Sequence, residues 1–134
     1  MKSSVFNSFL APENKHTAEF EKDNMIAKTI KVETRRLDDV IIDIKKAYRF
    51  DNMFLKLDTQ GFDLQVFEGA SGCLNHIRGV QTEISVLPIY KDMPAFEESL
   101  QFFKSKGFEV SGLYSVSESR FPHAVEFDCI YLPK

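Results

Sequence analysis

An α/β fold built on a mainly parallel sheet is what this sequence predicts, and three observations predict it. Apolar runs of strand length alternate with segments of helical spacing along most of the chain. Glycine, proline or a polar turn marks most of the changes from one to the next. The last two strand candidates have no helix between them, so they are expected to pair as an antiparallel hairpin at one edge. The predicted order is β-α-β-α-β-α-β-β, and there is no internal repeat or low-complexity tract.

Residues 1–28 read as an irregular N-terminal segment, with Phe6, Phe9 and Leu10 as candidate anchors. Residues 29–33 (TIKVE) alternate and predict a first short strand. In the stretch that follows, Leu37, Val40, Ile41, Ile44 and Ala47 fall on one helical stripe. Asp38 and Asp39 lie in its first turn and Lys45 and Lys46 near its end, as the helix dipole favours. Residues 53–58 (MFLKLD) form a largely apolar strand candidate. After a turn at Gly61, the stripe Phe62, Val66, Phe67 and Ala70 predicts a helix that continues loosely to Ile77, with Gly79 able to end it. Residues 80–86 alternate, with Val80, Thr82, Ile84 and Val86 on one face and Gln81, Glu83 and Ser85 on the other. Residues 94–106 predict a helix opened by Pro94, striped by Phe96, Leu100 and Phe103, and closed by Gly107. Residues 108–116 and 126–132 complete the strand set.

Composition narrows the function. The chain has 134 residues, enough for one domain, and its 43% hydrophobic content excludes a disordered segment. A net charge of −3 with scattered basic residues argues against a nucleic-acid binder. Two distant cysteines, Cys73 and Cys129, form no CxxC and read as free thiols of a reducing compartment. No apolar run has signal-peptide or membrane-span character, so a soluble cytoplasmic protein without membrane partners is expected. His16, His76 and His123 lack ligand spacing, so no metal site is expected. No serine or cysteine sits in a nucleophile elbow.

The candidate site lies in KLDTQGFDLQVFEGA, residues 56–70. In open α/β sheets ligands bind beyond the carboxyl ends of the strands, where Asp58 stands, and Glu83 approaches the same rim from the next strand. Asp58 has two readings: a cap for the following helix, or a group that orients or deprotonates a substrate hydroxyl. Glu83 is either a solvated strand residue or an acid that needs a partner or a cavity. Gln60 either contacts substrate or closes the turn, and Tyr90 either lines a pocket or packs. Lys56 either snorkels or pairs with Glu83.

These residues resemble the FkbM methyltransferase signature: a Lys-x-Asp-x-Glu/Gln-Gly turn followed by an acidic-Leu helix ending in Gly-Ala. The resemblance continues in VETRRLDDVI before the turn, in VQTEISVLPIY and FEESLQFFKSKGF after it, and in the closing EFDCIYLPK, so it covers residues 29–134. It implies a Rossmann-like fold, S-adenosylmethionine as cofactor, and methyl transfer to a hydroxyl of a sugar or natural product. By the same resemblance Asp58 and Glu83 are the catalytic acids, and Gln60 stands where many relatives carry Glu. Ser3 and Ser4 loosely match a Ser-containing segment of the family.

One part of the family pattern is missing. None of the six glycines forms a GxGxG turn, and none follows a strand near the N-terminus. The resemblance therefore implies the C-terminal, acceptor-side part of the domain, with the N-terminal strands missing and little turnover by this chain alone. The alternatives are a non-catalytic remnant serving as a binding or interaction module, and a nucleotide- or sugar-binding protein. Strand 53–58 would then expose an apolar edge, which predicts a homodimer through that edge or its coverage by residues 1–28.

Overall fold

A computed structural model of the chain describes residues 7–13, 25–116 and 124–134. The elements in chain order are α1 (Leu37–Tyr48), β1 (Met53–Leu57), α2 (Asp63–Glu68), a 3-10 turn (Leu74–His76), β2 (Ile77–Ser85), α3 (Phe96–Ser105), β3 (Phe108–Ser115) and β4 (Glu126–Pro133). The strands form one sheet in the order β1-β2-β4-β3.

The sheet corrects the expectation of a mainly parallel architecture. Only β1 and β2 run parallel; β2–β4 and β3–β4 are antiparallel. β4 returns directly from β3 and inserts beside β2, so both of its ladders are antiparallel. The expected hairpin is present, with β3 at the sheet edge. Residues 29–33 are not a strand: Ile30 and Val32 are 63% and 54% exposed, and no described segment pairs with them. Alternation alone does not make a strand where no neighbour accepts its hydrogen bonds.

The helix after the turn is also shorter than its apolar stripe suggests. α2 stops at Glu68, and turns plus the 3-10 segment carry the chain into β2. Gly79 therefore ends no helix; it lies inside β2, where a Cβ would stand 2.7 Å from the Phe54 ring laid across it. Gly107 does close α3, at φ +84°, and its N–H bonds to the Lys104 carbonyl.

All three helices bury residues in one cluster. Ile41, Phe67 and Phe103 meet Leu57, Val80, Ile84, Cys129 and Tyr131 from the strands. Phe103 is fully buried, stacked on Tyr131 at 4.3 Å and tilted against Phe67 at 5.0 Å. The opposite sheet face carries Lys56, Gln81, Glu83 and Asp128, with Phe54 54% exposed. A smaller cluster at the carboxyl rim joins Ile89, Tyr90 and Val125 to Leu10 and Met93. Both cysteines are buried and unpaired. Among the described residues no helix is long and apolar enough to cross a membrane.

Phe103→Ala should cost about 3–5 kcal/mol, because the aromatic cluster would be left around a cavity. Urea unfolding followed by circular dichroism measures it, as a lowered midpoint at unchanged slope.

Candidate functional site

The turn after β1 sets the site. Gln60 and Gly61 both have positive φ, +52° and +88°. Asp63, which is buried, holds this turn: its carboxylate accepts the Thr59 N–H at 2.8 Å, the Thr59 hydroxyl, and the Thr82 hydroxyl from β2. One acid thus ties the turn to the neighbouring strand. The N-terminal residues pin it from outside. Ser8 Oγ donates to the Gln60 carbonyl at 2.7 Å, and Phe9 packs on Phe62 with ring centroids 5.2 Å apart. Residues 11–13 pair with 89–91 through the Glu13 N–H to Ile89 carbonyl and Lys91 N–H to Ala11 carbonyl bonds.

That backbone aims the Gln60 side chain along the rim. Its Nε2 donates to Glu83 Oε2 at 2.8 Å and reaches Asp58 Oδ1 at 3.4 Å, while its Oε1 accepts from the Tyr90 hydroxyl at 3.0 Å. The amide orientation follows from its neighbours: the NH2 faces two carboxylates and the carbonyl faces a hydroxyl donor. The structure thus joins Asp58, Gln60, Glu83 and Tyr90 in one hydrogen-bonded chain. It also accounts for glutamine at position 60: a third carboxylate there would face two others with no proton to donate.

The two acids have opposite environments. Asp58 is exposed and bonded to Lys56 Nζ at 2.8 Å, so the ammonium and the Gln60 amide hold its carboxyl below the usual range. It does not cap α2; Asp63 makes the turn's bonds instead. Lys56 bonds Asp58, two residues on along the same face, and not Glu83, although Glu83 shares that sheet face. Among the described residues, Glu83 has no bonded cation. Its half-buried position, with Glu126, Asp58 and Asp128 nearby, pushes its carboxyl up to about 7 against the pull of the Gln60 hydrogen bond. Glu126 in turn accepts from the buried Ser85 hydroxyl at 3.0 Å. Burial, with Glu126 and Glu83 close by, raises the Tyr90 phenol, which stays a proton donor.

An open cavity of about 740 Å³ lies at this rim, lined by Asp58, Thr59 and Tyr90 together with residues 7–12, 25–30 and Val32. A separate cavity of about 570 Å³ runs beside α1, lined by Asp38, Lys45, Cys73 and His76. There burial pushes the Cys73 thiol up to about 11, so it is no nucleophile at neutral pH. Among the described residues, no three His, Cys, Asp or Glu side chains converge as metal ligands. Ser3, Ser4, His16 and His123 lie outside the described residues.

Sequence reasoning did not single out Ser8, Asp63 or Thr82 for this site. A signal existed for one of them: Thr82 alternates with Val80 and Ile84 on the buried face, and a buried hydroxyl requires an acceptor. Ser8 gave none, because its partner is a backbone carbonyl 52 positions away.

The family model described as "Methyltransferase FkbM domain" matches residues 2–110. The match takes in residues ahead of position 29, where the resemblance described above begins, and stops before β4. No curated protein and no solved structure matches the chain.

The raised Glu83 carboxyl makes a stability prediction. Below about pH 4.5 the group is protonated in both folded and unfolded chains, and it has no effect. As the pH rises from there to about 7, the unfolded chain loses this proton first, so stability falls and then levels off. Glu83→Gln should remove that fall and stabilise the fold at pH 8 by roughly 1–2 kcal/mol, after discounting for solvent screening. It should change little at pH 4. Thermal melts of both proteins across this range read the difference.

Proposed function

The chain belongs to the FkbM methyltransferase family, and from that premise we propose that it is an S-adenosylmethionine-dependent O-methyltransferase whose described residues form the acceptor side. The acceptor class is a hydroxyl of a sugar or natural product. The observation that carries this reading is the Tyr90–Gln60–Glu83 hydrogen-bonded chain at the carboxyl rim, whose Tyr90 end, with Asp58, lines a cavity of about 740 Å³. Free cysteines support a reducing, cytoplasmic setting.

Roles divide by environment. Glu83, poised at about 7, takes the proton of the acceptor hydroxyl, since a general base works best with a pKa near the working pH. Asp58, held ionised by Lys56, accepts a hydrogen bond from a second hydroxyl of the acceptor and orients it. Tyr90 fixes the Gln60 amide, and the amide holds the Glu83 carboxylate in place. Residues 7–12, 25–30 and Val32 wall the cavity.

The described residues do not fit the donor. Of the six glycines, only Gly61 follows a strand at this rim, and a Cβ there would meet Met93 at 3.0 Å and Leu10 at 3.1 Å. Met93 and Leu10 thus pack directly against this glycine.

The test is transfer of a labelled methyl from S-adenosylmethionine to a panel of neutral sugars and polyols, with S-adenosylhomocysteine titrated by calorimetry alongside. Slow transfer by the wild type is expected, because the described residues do not fit the donor. Glu83→Gln should lower kcat about 10²–10³-fold with KM nearly unchanged, and Asp58→Asn should act mainly on KM. Neither transfer nor binding would overturn the enzyme reading and leave the interaction-module reading, to which the exposed face around Phe54 corresponds.

A further inference from the structure

The cavity at the carboxyl rim has walls that the hydrogen-bonded chain beside it does not explain. Phe9, Met25, Ile26, Ile30 and Val32 line it, and each is more than half exposed. They come from two segments outside the helices and strands and meet on one concave surface. Single exposed apolar side chains are ordinary, but several that line one cavity form a patch, and such a patch marks a binding site. The volume, about 740 Å³, lies in the range of small-molecule sites.

Two of the polar lining groups are gathered together: Asp58 and Tyr90 both bond the Gln60 amide, one at its nitrogen and the other at its oxygen. The Ser8 hydroxyl is already used, since it donates to the Gln60 carbonyl and accepts the Leu10 N–H. Among the described residues, the charged side chains that line the cavity are Asp58 and Lys28, one of each sign, so its walls do not call for a charged ligand.

We infer that the ligand of this cavity is a neutral molecule with an apolar body and a hydroxylated end. The hydroxyl donates to the Asp58 carboxylate, which Lys56 holds in place, and the hydrocarbon part lies on the apolar walls. The inference rests on the reading of this rim as the acceptor side and narrows it. A free sugar is polar over its whole surface, and it would leave Met25, Ile26, Ile30 and Val32 facing hydroxyls. A hydrocarbon body removes their apolar surface from water, and its own as well.

The test is a titration of the full chain with octane-1,2-diol and propane-1,2-diol, which share one polar head and differ in tail length. NMR shifts of the Ile26, Ile30 and Val32 methyl groups follow it. The octanediol should saturate these shifts and bind at least about tenfold more tightly than the propanediol. Ile30→Ser with Val32→Ser should weaken the octanediol about fivefold or more and leave the melting temperature unchanged, because both side chains are exposed. Met25→Ser with Ile26→Ser should do the same from the other part of the segment. Equal affinity for the two diols, octanediol shifts centred on Phe54 in place of these methyl groups, or an affinity that neither double substitution moves would each overturn the inference. None of these measurements needs a methyl donor. Octanediol that binds as expected but is not methylated would overturn the enzyme reading and support this one. Transfer to sugars as fast as to the octanediol would support the enzyme reading and overturn this one.

Discussion

The site depends on one buried carboxylate. Asp63 accepts bonds from Thr59 in the turn and from Thr82 on the next strand. The positive-φ pair Gln60–Gly61 lies within this turn, and the N-terminal segment bonds it from the other side. With the Asp63 tie, the turn is fixed against β2, and the Gln60 side chain spans to Glu83. A left-handed backbone at a non-glycine residue is a local cost. Here it is offset by a network in which every polar partner of Gln60 lies on a different element: Asp58 beside β1, Glu83 on β2, and Tyr90 in the loop beyond.

The same network separates two acids that the chain delivers to one rim. Lys56 shares a strand face with Asp58 and neutralises it, which leaves Glu83 among carboxylates with only an amide for support. Opposite environments push the two groups apart in proton affinity. Gln60 belongs to this division. Its amide donates to both acids, whereas a glutamate in its place would have joined the repulsion.

Much of the fold was legible because periodicity reports burial. The stripes of α1 and α3 and the alternation of β2 are repeated side-chain decisions, and each is visible within a dozen residues. What was not legible depends on distant neighbours. Residues 29–33 alternate like a strand, yet no described segment pairs with them. Gly79 looks like a helix stop, yet it sits in β2 to admit the Phe54 ring from β1. The parallel bias failed at β4, whose position between β2 and β3 is a property of topology and not of its residues. At the site, Asp58, Gln60, Glu83 and Tyr90 were flagged by position along the chain. The hydrogen bonds that connect them, and the choice of Lys56 for Asp58 in place of Glu83, needed coordinates.

The central claim is that Glu83 is held as a base poised near neutrality by burial and by its acidic neighbours. The most direct measurement is an NMR titration of the Glu83 side-chain carboxyl in the folded protein. The account predicts a midpoint near 7, with the Asp58 carboxyl titrating below the ordinary aspartate range in the same experiment. A Glu83 midpoint at the ordinary value of 4.5 would contradict it, and the rim would then be a solvated acidic edge with no base in it.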